Sequence, residues 1–129
     1  MTSKELVQSL YAAFGRGDVA FILERVAPDC TWVAPGTGIP NAGVYSGPAG
    51  VGAFFQKLAS TENVTAFEPK EYFENGDSVV ALGTEECTAI ATGKQMKTDW
   101  AMLFRVSGGK VVYWQSFYDT SAYMVAHAK

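Results

Sequence analysis

Glu85 and Glu86 stand side by side within a run of small, β-branched and apolar residues from Ser78 to Ala91. Successive side chains on a strand point to opposite faces, so one carboxylate of the pair must face the core. The sequence leaves open which one does so. An acid surrounded by apolar groups keeps its proton to higher pH, which is how a general acid or base is tuned towards neutrality. The competing reading is an ion pair with Lys97 or Lys94, and such pairs perturb carboxylates as readily as active sites do.

The other reactive groups have simpler explanations. Asp99 alternates with Trp100, Met102 and Phe104, which share one side of a strand and send the acid to the other. Asp119 precedes Thr-Ser-Ala and reads as a helix N-cap. His127, the sole histidine, is expected to lie frayed at the surface. One histidine and two distant cysteines, Cys30 and Cys87, leave no metal or triad set, and no cofactor is expected. Gly36-x-Gly38 with Gly43 is interrupted by Pro40 and does not form a dinucleotide loop. What remains is aromatic: Trp32, Phe54, Phe55, Trp100, Trp114 and Tyr118. Such rings are ordinarily core, yet the polar tips of Trp and Tyr seek partners, and several facing one space favour a ligand pocket.

Three amphipathic helices precede a sheet. Val7, Leu10, Tyr11 and Phe14 repeat at helical spacing, with Thr2 and Glu5 as a capping box and Gly15-Arg16-Gly17 as the stop. Val19, Ile22, Leu23 and Val26 form the next face behind Asp18, and Pro28 ends it. Gly47-Pro48 opens the third, carrying Val51, Phe54, Phe55 and Leu58. Cys30–Ala34 reads as a short strand and residues 35–43 as a loop. Strands are expected near 64–74, 78–91, 95–106 and 110–118, joined by glycine turns at Gly76, Gly93 and Gly108-Gly109 in an antiparallel meander. Pro69 belongs at an edge or a bulge. A last helix follows Asp119, through about residue 127. Helices first and sheet second make an α+β domain, and long twisted strands curl, so the helices enclose a cone.

With 129 residues the chain has room for one domain. Charged residues are 18%, below the roughly 25% usual for soluble domains, while aromatics reach 13%. That balance suggests apolar surface used for a pocket or a subunit interface. Net charge is −3 and the ten Lys and Arg are scattered, which argues against nucleic acid. No apolar run spans a bilayer, no signal-peptide pattern opens the chain, and a cytoplasmic protein with reduced cysteines is expected.

Phe14-Gly15-Arg16-Gly17-Asp18, Tyr45-Ser46-Gly47-Pro48 and the ending Gly108-Gly109-Lys110 through Trp114-Gln115-Ser116-Phe117-Tyr118-Asp119 resemble the nuclear transport factor 2-like superfamily, in its SnoaL-like and ketosteroid-isomerase-like branches. The resemblance implies a cone-shaped, cystatin-like roll with three N-terminal helices on a curved, mainly antiparallel sheet. It also implies isomerase, cyclase or hydrolase chemistry, or binding alone. Steroid isomerases of this shape place a base, a tyrosine and a protonated aspartate where this chain has Ala34, Leu10 and Met102. Tyr11 is one residue from the tyrosine position, an offset that turns it about 100° away. The epoxide-hydrolase set falls near Ser116, Gly83 and Glu85, so one acid survives and selects Glu85. The expected pocket is Leu10, Phe14, Trp32, Ala34, Phe54, Cys87, Trp100, Met102, Trp114, Ser116 and Tyr118, with hydroxyls of Ser116 and Tyr118 offered from the strand beside Glu85. It is expected to hold a small apolar, ring-containing molecule, and several hundred Å³ of connected space is the mark of that reading, since ligand pockets run from about 300 to 1,000 Å³. The alternative is a non-catalytic dimeric scaffold with a filled cone. A homodimer is expected through the outer sheet face, where Tyr113, Gln115 and Phe117 lie beside Ala101 and Leu103.

Overall fold

The computed structural model describes residues 1–129. The chain runs α1 (Ser3–Gly15), α2 (Val19–Leu23), β1 (Val26–Ala34), β2 (Gly43–Ser46), α3 (Gly47–Thr61), β3 (Glu62–Asn75), β4 (Ser78–Ala89), β5 (Gln95–Ser107), β6 (Lys110–Tyr118) and α4 (Thr120–His127). The helix starts are built as their sequences require. Thr2 Oγ1 accepts from the Glu5 amide while the Glu5 carboxylate accepts from the Thr2 amide. Asp18 caps α2 through the Phe21 amide, and Asp119 caps α4 through the Ala122 amide. Gly47 turns at φ 65° against the Pro28 carbonyl, where a Cβ would come within 2.9 Å, and Pro48 then enters α3.

Six strands form one sheet in the order β2-β1-β6-β5-β4-β3. Tight turns link β3 through β6 as an antiparallel meander, as the glycines require. The exception to antiparallel pairing is β1, which lies parallel to β6. Pro69 meets both conditions set for it: β3 is an edge strand, and its register shifts between Pro69 and Glu71.

Two boundaries differ from the sequence reading. The second helix stops at Leu23, and Val26 already opens β1, where its backbone register follows Val111 of β6. Tertiary pairing there overrides helical spacing. Residues 43–46, read as loop and helix entry, form β2 against Thr31–Ala34 of β1. Four residues are too few to show an alternation by themselves.

The core is the space between the helices and the inner sheet face. Val7, Leu10 and Ala13 of α1 and Val51 and Phe54 of α3 pack against Trp32, Phe104 and Trp114. A second cluster under α4 joins Tyr123 and Ala126 to Ile39, Cys87, Ala89 and Met96. On the other face Ala101, Leu103, Tyr113 and Gln115 are half-buried, and Phe117 is 48% exposed. No helix is long and apolar enough to cross a membrane.

Candidate functional site: an aromatic cavity with two buried acids

The cone is partly hollow. A cavity of about 100 Å³ lies between α1, α3 and the inner sheet face, below the several hundred Å³ that marks the ligand reading, because aromatic side chains occupy most of the cone. Leu10 and Phe14, Trp32 and Ala34, Phe54, Met102, and Trp114, Ser116 and Tyr118 line it, the β5 and β6 members of the set on the face that strand parity gives them.

Two expected wall residues do not line it. Trp100 lies behind the wall, with its indole over Gly83 and stacked on Phe67 at 5.0 Å. The missing side chain at Gly83 lets the indole lie flat on β4 instead of reaching into the cavity; a Cβ there would collide with the ring and with the Glu68 carbonyl. Cys87 sits below the wall, its Sγ 3.6 Å from the Tyr123 hydroxyl that covers it. Conversely, Tyr11 does face the cavity beside Leu10, because the space spans a wide arc of α1. Its hydroxyl donates to Met102 Sδ at 3.2 Å, and burial pushes the phenol well above its ordinary pKa.

The Glu85–Glu86 pair divides as strand geometry demands. Glu86 faces out and pairs with Lys97 at 2.7 Å. Glu85 faces in, where the Tyr123 hydroxyl donates to Oε1 at 2.8 Å. Its Oε2 has only a long contact, 3.8 Å, with the Cys87 thiol. Burial raises the Glu85 carboxyl pKa; the Tyr123 hydrogen bond opposes the shift and the charge of Glu62 adds to it. The Cys87 thiol is itself pushed up to about 12, by burial first and then by Glu85. Ser116 and Tyr118 reach the cavity from β6, which β5 separates from the strand of Glu85.

Glu62 and His127 escaped the sequence reading. Glu62 opens β3 and lines the cavity with its side chain 3% exposed, and His127 Nε2 lies 2.9 Å from its Oε2 at 4% exposure. Burial raises the Glu62 pKa, against hydrogen bonds from His127 and Asn41. The frayed surface position expected for His127 is therefore wrong. The available signal was spacing: His127 follows Tyr123 by four residues, which puts both on one face of α4. Tyr118 and Tyr123, with ring centroids 4.6 Å apart, stay protonated far above neutrality because they are buried near Glu62 and Glu85. One end of the cavity is thus hydrogen-bonding and acidic, and the other is ring-lined. Trp32, in the wall, has its Nε1–H buried without a partner.

These acids set a pH dependence. Unfolded, both titrate near 4.5; folded, both hold their protons higher. The native state then binds more protons than the unfolded state above pH 4.5, so this contribution to stability falls as pH rises through the folded pKa values. Exposed Glu5 and Asp119, whose pKa values are lowered by capping bonds, act in the opposite sense at lower pH. Thermal melts are expected to show this contribution as a Tm that declines as pH rises above about 4.5, with a shallower decline in Glu85→Gln. A Tm that rises with pH over that range in the parent protein contradicts the assignment.

The fold and this cavity define a cone protein of the nuclear transport factor 2-like superfamily. The SnoaL-like domain model matches residues 7–114, and the chain belongs to that family. It is 30% identical over 119 residues to an uncharacterized protein of Mycobacterium tuberculosis, covering 92% of this chain and 89% of that one. An NTF2-like protein of Burkholderia thailandensis superposes with a TM-score of 0.92 at 28% identity, covering 100% of this chain and 99% of that one. TerC, described as co-crystallized with polyporic acid, superposes with a TM-score of 0.86 at 27% identity over 97% of each chain.

Proposed function

We propose that the chain binds a small apolar, ring-containing molecule in the cone and exchanges a proton with it through Glu85. The carrying observation is a desolvated carboxylate, with one oxygen lacking a strong partner, facing a cavity walled mainly by aromatic and aliphatic side chains. A base held above its ordinary pKa removes a proton near neutrality more effectively than an exposed carboxylate. The Tyr123 hydroxyl proton is committed to Glu85 Oε1, so protonated Tyr118 and the free Nε1–H of Trp32 are the donors that remain for an acceptor on the ligand. A dry apolar cavity of about 150 Å³ admits benzene, so at about 100 Å³ the ligand is no larger than one ring and the wall side chains must give to admit it. Fluorescence titration with single-ring compounds, alongside native mass spectrometry of the protein as purified, tests the reading. Saturable binding that quenches the cavity tryptophans supports it. If no compound saturates and no mass is carried over, the second reading holds: a scaffold whose cone is filled by its own rings, which the cavity of about 100 Å³ favours.

Steroid isomerisation is not the proposed reaction. Ala34, Leu10 and Met102 supply neither the base nor the oxyanion donors, each worth powers of ten in rate. Turnover of a Δ5-3-ketosteroid is expected to stay at background; appreciable turnover means that Glu85 and Tyr11 take over those roles.

The half-buried Ala101, Leu103, Tyr113 and Gln115 with exposed Phe117 favour a second copy of the chain on the outer sheet face. Sedimentation is expected to give twice the 13.9 kDa chain mass at micromolar concentration. A monomer there removes the dimer, and Phe117→Glu should produce one.

A further inference from the structure

The cavity carries a charge pattern that selects among ring-bearing ligands. Two carboxylates, Glu62 and Glu85, stand in its wall, and the wall contains no Lys, Arg or His. Most of the remaining wall is rings, among them Tyr11, Trp32, Phe54, Phe55 and Trp114, whose faces carry negative potential. One Glu62 oxygen is engaged by His127 and one Glu85 oxygen by Tyr123, which leaves Glu85 Oε2 with the Cys87 thiol at 3.8 Å. Each acid lies in the other's field, and a cation between them relieves that repulsion.

From this geometry, and resting on the reading of the cone as a ligand site, we propose that the ligand is a protonated amine borne on a single ring or a compact alkyl group. Its N–H donates to Glu85 Oε2, and the aromatic wall packs on the rest of the molecule. An anion of the same size meets two carboxylates in a desolvated space with no cation in the wall to offset them. A neutral alcohol also donates to the carboxylate but brings no charge of its own, so it lacks the ion-pair attraction that an ammonium gains in a site where water screens little. Cation–π attraction to the rings acts in the same direction. If Glu62 and Glu85 serve only to tie α4 to the sheet, the cavity has no such preference.

Benzylamine, benzyl alcohol and benzoate share one ring and nearly one size while differing in charge, so they separate these cases. Titrated against the full chain at neutral pH by tryptophan fluorescence, benzylamine is expected to bind about tenfold more tightly than benzyl alcohol, and benzoate not to saturate. Glu85→Gln keeps an acceptor for Tyr123 and removes the charge. It should abolish the advantage of the amine, weakening benzylamine more than benzyl alcohol, with the fold verified by circular dichroism. Benzyl alcohol binding as tightly as benzylamine overturns the amine inference while the ligand reading stands. Saturation by none of the three overturns both. Retention of the amine preference in Glu85→Gln overturns the assignment of the contact to Glu85.

Discussion

Replacing His127 with alanine is expected to destabilise the protein by about 3–5 kcal/mol, the cost of removing one partner of a buried pair. The imidazole and the Glu62 carboxylate share a 2.9 Å hydrogen bond at 4% and 3% exposure, so its loss strands a buried acid without its main partner. Water has little access to repair the deficit, and the penalty is that of an unsatisfied buried group rather than of one lost contact. The same pair fastens the end of α4 to the start of β3, so the variant should also expose α4 to early proteolysis. Denaturant titration measures the loss. The double variant Glu62→Gln with His127→Ala should recover a substantial part of it, because the stranded group is then neutral. A His127→Ala midpoint unchanged from the parent shows that the buried pair contributes nothing.

Trp114→Ala is the second large effect, also about 3–5 kcal/mol. The Trp114 indole stacks on Trp32 at 4.3 Å and 21°, touches Phe54 at 5.6 Å and fills the centre of the inner sheet face. Removing it deletes transfer energy and leaves a hole, since close-packed surroundings collapse only in part. The hole is contiguous with the existing cavity, so the variant should take a bicyclic aromatic that the parent excludes, and added indole should restore part of the lost Tm. A loss below about 1 kcal/mol, with no indole effect, means that the neighbouring rings close over the gap.

Much of the fold was legible because the relevant signals are local. Helical spacing at Val7, Leu10 and Phe14, glycine turns, the caps at Asp18 and Asp119, and the edge position of Pro69 each act over a few residues. Strand parity placed Met102, Trp114 and Ser116 on the cavity and set Glu85 against Glu86. The illegible parts are those decided at a distance. The end of α2 depends on β6, more than eighty residues away in sequence. Trp100 left the wall because Gly83 on the facing strand makes room for it, and Tyr11 entered because the cavity is wider than one helical position. Glu62 and His127 come together only once α4 folds over the sheet, and neither residue carries a mark of the other.

The place of β6 between β1 and β5 also governs when the chain is able to fold. During synthesis the strand that receives β1 leaves the ribosome well after it, so β1 and β2 have no partner in the main sheet until Lys110–Tyr118 has emerged. Until then the β3–β5 meander presents the unpaired edge of β5, and the helices have half a floor to pack on. The domain therefore closes only after β6 has emerged, at a pace set by long-range parallel pairing. A nascent chain arrested before Lys110 should remain protease-sensitive and recruit chaperones, and release of the last strand should convert it in one cooperative step.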